Sequence, residues 1–97
     1  MTRFYILLSL LVFSFFAVLG QTAERQFQVG NQSYEIEEYA VAIEQYESIV
    51  NSGKVSAELF YNLGNAYYRS GELAKAILNY ERAFQLSPED KDILHNL

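Results

Sequence analysis

The chain has 97 residues, with 7 basic and 12 acidic side chains, a formal charge of −5, one His and no Cys. That length holds one small domain. The negative sign disfavours nucleic acid, whose phosphates demand a basic surface, and argues against adhesion to anionic lipid, while the absence of cysteine excludes disulfides, thiol catalysis and thiolate metal sites.

The chain begins Met1-Thr2-Arg3 and continues with an apolar run from Phe4 to Leu19, 16 residues interrupted only by Ser9 and Ser14. One positive charge ahead of such a run is the layout of a secretory signal peptide, and the run is shorter than the roughly 20 residues that span a bilayer. Residues 1–20 therefore read as a signal segment with cleavage after Gly20. An uncleaved anchor and a buried core helix are the alternatives. No Cys follows the run, so the acylated lipoprotein route is closed. The expected location is exported, periplasmic or envelope-associated, with membrane contact only through this segment if it is uncleaved. The rest of the chain carries 6 basic against 12 acidic side chains, −6 in formal charge.

Beyond residue 20 the sequence repeats itself at an offset of 34. Val29 maps to Leu63, Gly30 to Gly64, Asn31 to Asn65, Tyr34 to Tyr68, Tyr39 to Leu73, Ala42 to Ala76, Ile43 to Ile77, Tyr46 to Tyr80 and Glu47 to Glu81. The same step carries Glu58 to Asp92, Leu59 to Ile93, Phe60 to Leu94, Asn62 to Asn96 and Leu63 to Leu97. The expected units are 23–56, 57–90 and the opening residues 91–97 of a third.

Inside the second unit Phe60, Leu63 and Tyr67 fall at helical spacing, as do Leu73, Ile77, Tyr80 and Phe84. Ser70-Gly71-Glu72 separates the two runs and Ser87-Pro88 ends the second, because Gly adopts turn backbone readily and Pro cannot continue a helix interior. Each unit is thus predicted to be a helix, a short turn and a second helix.

With Ala57 as its first position, the second unit places Phe60, Leu63-Gly64, Tyr67, Ala76, Tyr80, Ala83 and Pro88 in the pattern of the tetratricopeptide repeat, which it resembles throughout. The first unit resembles it more loosely. Val29-Gly30, Ala42 and Tyr46 fit, but Glu37 stands where the turn usually has Gly, Ile49 replaces the second small residue and Lys54 replaces Pro. The resemblance implies an all-α fold of antiparallel helix-turn-helix repeats stacked as a short right-handed solenoid, preceded by the apolar signal helix. Gly30, Ala42, Tyr46, Leu63, Gly64, Tyr67, Ala76, Tyr80, Ala83 and Pro88 are then repeat-packing residues. Tyr67 and Tyr80 as a stacking platform for a base or sugar is the weaker reading, given their helical spacing and the acidic chain.

In stacked helix pairs the first helices line a concave face that commonly binds a partner. By resemblance to peptide-binding members, the groove residues are Glu24, Phe27, Asn31, Tyr34 and Glu35, then Glu58, Tyr61, Asn65, Tyr68 and Arg69, then Asp92 and His95. Asn62 also matches a position that chaperone-binding members use. An Asn side chain offers an acceptor and a donor to a peptide bond. Phe27 and His95 stand where those members place basic residues, so the pattern departs from a carboxylate clamp. Phe27, Tyr34, Tyr61 and Tyr68 suit an apolar or aromatic segment. The asparagines are equally compatible with plain exposed helix faces.

For catalysis the sequence has little. His95 has no visible partner, Gly30-Asn31 and Gly64-Asn65 are not part of a phosphate loop, and Glu35, Glu37, Glu38, Glu44 and Glu47 lie along solvated helical arcs. No enzyme activity and no cofactor are expected. The chain also resembles the BatE-like group, exported tetratricopeptide proteins of bacterial aerotolerance operons, which implies a role in envelope complexes with von Willebrand-type domain membrane proteins. That group carries further C-terminal membrane and SH3-like segments, so the sequence is either a fragment or alike in the repeat alone. The expected partner is a protein or extended peptide. A structural segment with an empty groove is the alternative. Because a solenoid of this kind gains its core by stacking about three or more units, the region of Phe84 and Leu86, covered only by Ile93, Leu94 and Leu97, predicts marginal stability or self-association through the C-terminal edge.

Overall fold

The computed structural model describes residues 22–96. The expected signal segment, its cleavage after Gly20, and Leu97 lie outside the described residues. Five helices follow one another: α1 (Ala23–Glu35), α2 (Tyr39–Asn51), α3 (Ala57–Arg69), α4 (Leu73–Leu86) and α5 (Lys91–Asn96). There is no strand among the described residues, and no helix is long and apolar enough to cross a membrane.

The helix starts recur at the repeat spacing. Thr22 Oγ1 accepts from Arg25 N at 3.1 Å, Ser56 Oγ accepts from Leu59 N at 3.0 Å, and Asp90 Oδ1 accepts from Asp92 N at 2.9 Å. Each satisfies a backbone donor that the first turn of a helix leaves orphaned. These caps are a periodic signal present in the sequence that the apolar pattern alone does not reveal.

The turns inside both units share one geometry despite their different residues. Glu38 N donates to Ser33 O at 2.8 Å and Glu72 N to Tyr67 O at 2.9 Å, closing the same αL-capped helix end. The residue this requires at positive φ is Gly71 (82°) in the second unit and Glu37 (64°) in the first. The departure at Glu37 leaves the turn intact, with a strained side-chain-bearing residue in it.

α1 packs on α2 and α3 on α4, while α2 against α3 joins the two units and α4 carries α5. One core cluster runs through both units, from Ala42, Tyr46 and Ile49 to Leu59, Leu63, Ala66, Tyr67, Ala76 and Tyr80, and a second holds Phe60, Ala83 and Ile93. Ile49, which stands where a small residue was expected, is buried in the first cluster. Helix axes approach to about 8–10 Å, closest where side chains are small. A Cβ at Gly64 would lie 2.7 Å from the Tyr80 ring and 3.2 Å from the Ala76 carbonyl, and one at Gly30 would lie 2.6 Å from the Tyr46 ring. Glycine here makes room for a tyrosine.

Two sequence expectations need correction. Helical spacing predicts an apolar stripe of Leu73, Ile77, Tyr80 and Phe84 on α4, but Leu73 and Ile77 are 58% and 41% exposed, and the buried line is Ala76, Asn79, Tyr80 and Ala83. In the first unit the equivalent Tyr39 and Ile43 are half-buried, with Arg69 of α3 lying over the Tyr39 ring. α5 reaches only the other end of α4, through Ile93 beside Ala83 and Phe84. Pro88, expected to pack, is exposed in the turn that ends α4. Its missing N–H and fixed φ account for it there.

Candidate peptide-binding groove

The first helices of both units meet along one face, and the side chains there are held by the second helices beneath them. The Tyr46 hydroxyl, on α2, donates to Asn31 Oδ1 on α1, and the Tyr80 hydroxyl, on α4, donates to Asn65 Oδ1 on α3. The two pairs are the same contact one repeat apart. Their rings are matched as well: Phe27 lies 5.9 Å from Tyr46 and Tyr61 lies 5.9 Å from Tyr80, centroid to centroid.

Both hydroxyls are firmly protonated. Burial, aided by Tyr34, pushes Tyr46 up to about 12 against the opposing hydrogen bond of Asn62, and the Glu35 and Glu58 carboxylates push the same way as burial. Burial, then the neighbouring Tyr61, Tyr34 and Tyr68, pushes Tyr80 up to about 12. A protonated phenol donates, so each Asn amide must turn its carbonyl down to the tyrosine and its NH2 outward.

Asn62 reaches back from α3 across the unit boundary, its Nδ2 donating to the same Asn31 Oδ1 at 3.2 Å. Asn96 repeats the gesture from α5, donating to the Tyr61 hydroxyl at 2.9 Å. Each later unit thus clasps the one before it by an amide. Tyr67 adds a second clasp, its hydroxyl donating to Glu47 Oε1 at 3.0 Å. Burial first and that carboxylate second push Tyr67 up to about 12.

Among the described residues, three hollows border the first helices. The central one, about 290 Å³, is lined by Asn31, Tyr34, Glu35, Tyr46, Asn62 and Asn65. On its lining the structure brings together five residues expected from sequence, Asn31, Tyr34, Glu35, Asn62 and Asn65, and adds Tyr46, which the repeat pattern assigns to packing. A second hollow of about 470 Å³ lies toward α5, between Tyr61, Asn62, Glu58, Asp90 and Asp92. Phe27 lies in a third of about 210 Å³ with Glu24, Lys54 and Glu58.

Tyr68 and Arg69 are not brought into the central hollow. Tyr68 is exposed at the end of α3. The Arg69 guanidinium sits 5.6 Å from the centroid of the Tyr39 ring, which in turn meets Tyr34 edge-on at 5.3 Å. A hydrogen bond with Tyr39 also raises the pKa of Arg69, so this cation is engaged in joining α3 to α2. His95 is exposed on α5.

The asparagines are therefore structural as well as surface residues. The constant separation of 15 residues between each Asn and its tyrosine is the sequence signal that could have paired them. Among the described residues no three His, Asp, Glu or Cys side chains converge closely enough to hold a metal ion.

Residues 57–90 match the family model described as tetratricopeptide repeat. No curated protein matches the sequence. Such repeats are a non-catalytic fold that generally mediates protein–protein interaction. α3 and α4, with the turns that bound them, are a tetratricopeptide repeat.

Proposed function

We propose that this protein is a non-enzymatic interaction module of the bacterial cell envelope that binds an extended segment of a partner protein in the groove between α1 and α3. The observation that supports this most is the convergence of the Asn31, Asn62 and Asn65 amides on one hollow, with the carbonyls of Asn31 and Asn65 already taken by Tyr46 and Tyr80. The NH2 groups of Asn31 and Asn65 remain as donors, and an extended backbone offers acceptors at regular intervals.

The signal-like segment at 1–20 supports export, with cleavage after Gly20 and a periplasmic or envelope-associated mature chain. The BatE-like resemblance supports a place in an envelope complex with von Willebrand-type domain membrane proteins. Affinity capture from envelope extract, with wild type and with an Asn31→Ala/Asn65→Ala variant shown by circular dichroism to be folded, tests the groove. A specific band lost in the variant supports it. A band retained unchanged assigns binding to another surface.

The exposed Leu73 and Ile77 favour a second reading, in which the repeats are an assembly segment and the α4 edge stacks against a second copy. Tyr39, with Arg69 of α3 over its ring, shows how a following helix covers such a position. Sedimentation at several concentrations decides this: association at micromolar concentration, reduced by Ile77→Glu, is expected, and a stable monomer throughout excludes it.

A further inference from the structure

The proposed groove has a sign as well as a shape. An acid recurs at the second position of every unit, as Glu24, Glu58 and Asp92, and all three line hollows of this face. Among the described residues Glu35 is the charged one lining the central hollow, and Asp90 joins Glu58 and Asp92 in the hollow toward α5, where no described basic residue lines the wall. Among the described residues Lys54 is the one basic residue lining any of the three, in the hollow that holds Phe27.

No described residue forms an ion pair with these carboxylates. Among the described residues the ion pair formed joins Lys75 and Glu72 at 3.7 Å, neither of which lines the hollows. Arg69, the nearest cation on α3, is held over Tyr39. The acids do not gather into a metal site either. They are spread along the face, while the Asn31 and Asn65 amides between them offer donors.

Building on the groove reading above, we propose that the face accepts a basic extended peptide, whose backbone carbonyls meet the Asn31 and Asn65 amides and whose Lys or Arg side chains lie against Glu58 and Asp92 on one side and Glu35 on the other. A ligand must present neutral acceptors and positive charge together. A metal ion or a simple polyamine lacks the carbonyls, and an acidic segment meets like charge at every unit. The rings of Tyr34 and Tyr61 along the same face add favourable seats for an ammonium or guanidinium.

The test uses the full 97-residue chain in a nonionic detergent and three end-blocked, fluorescently labelled decapeptides that alternate Val with Lys, Gln or Glu, followed by anisotropy. The Lys peptide is expected to bind about tenfold tighter than the Gln peptide, with the Glu peptide weakest, and the advantage should collapse at high salt. Glu58→Gln/Asp92→Asn should remove most of that advantage. Asn31→Ala/Asn65→Ala should weaken Lys and Gln peptides alike.

Equal binding of Lys and Gln peptides, both lost in the asparagine variant, overturns the charge assignment and leaves the groove standing. No binding of any peptide overturns both. An equal loss of Lys-peptide affinity in Glu44→Gln/Glu81→Gln, exposed acids of the second helices, shows attraction to the chain's overall charge and overturns the site.

Discussion

The two units of this protein build the same object from different residues, and the differences sort into those the fold tolerates and those it does not. The turn at Glu37 and the turn at Gly71 have the same hydrogen bonds and the same sign of φ, although only one has glycine. Gly30 and Gly64, by contrast, are identical, and each faces the ring of its own unit's tyrosine. A backbone angle can be reached by an unfavourable residue at modest cost, whereas two atoms cannot share one space. The units also differ in what covers them. α3 sets Arg69 over the Tyr39 ring of the first unit, while Leu73 and Ile77 of the second unit are exposed.

The comparison breaks most sharply at the close approaches. Gly64→Leu should abolish the packing of α3 on α4 and cost about 3 kcal/mol or more, since the new side chain meets a ring and a backbone carbonyl. Gly30→Leu should cost less, because the three heavy atoms nearest its Cβ all belong to the Tyr46 side chain, whereas a backbone carbonyl stands among those nearest at Gly64. Thermal melts of both variants check the order.

Alkaline pH strikes both units and the joint between them. Tyr46, Tyr80 and Tyr67 are each raised from 10.0 to about 12 in the folded chain. A raised folded-state value means that their stabilising effect is fully present below pH 10 and is lost as pH climbs through about 12. Melting temperature should fall across that window together with phenolate absorbance, and Tyr80→Phe should flatten the fall.

A subtler break separates structural from binding roles at the asparagines. Asn65→Ala leaves the Tyr80 hydroxyl without its acceptor and should cost about 1–2 kcal/mol. In the double variant with Tyr80→Phe the two losses should not add, with a coupling of about 0.5–1.5 kcal/mol in denaturant titrations. Additive losses would remove the pairing from the account.

The smallest effect sharpens the comparison at the turns. Glu37→Gly should stabilise by about 0.5–1 kcal/mol, and Gly71→Glu should destabilise by about 1 kcal/mol, read from melts. Similar changes of one sign in both would mean that the turns are not equivalent.

Much of the fold was legible because a stacked repeat writes its contacts at a fixed offset. Resemblance to the repeat pattern assigned Gly64, Ala76, Tyr80 and Ala83 to packing, and the 34-residue offset put Asn31 and Asn65 at equivalent positions. Arg69 could not be assigned correctly, because its partner Tyr39 lies on the helix before it in the other unit and nothing local ties them. The second role of Tyr46 was hidden for a related reason. A residue that packs with its ring can still line a surface with its hydroxyl.

The sequence by itself determined the helices, their turns, their caps and the repeat that stacks them, since these depend on residues within a few turns of each other and on a period of 34. Tertiary structure alone decided which way the asparagine amides point, which cation is engaged, and which apolar residues of α4 are left in water. Each of these depends on what a neighbouring helix places opposite a side chain, and that is settled only when the helices dock.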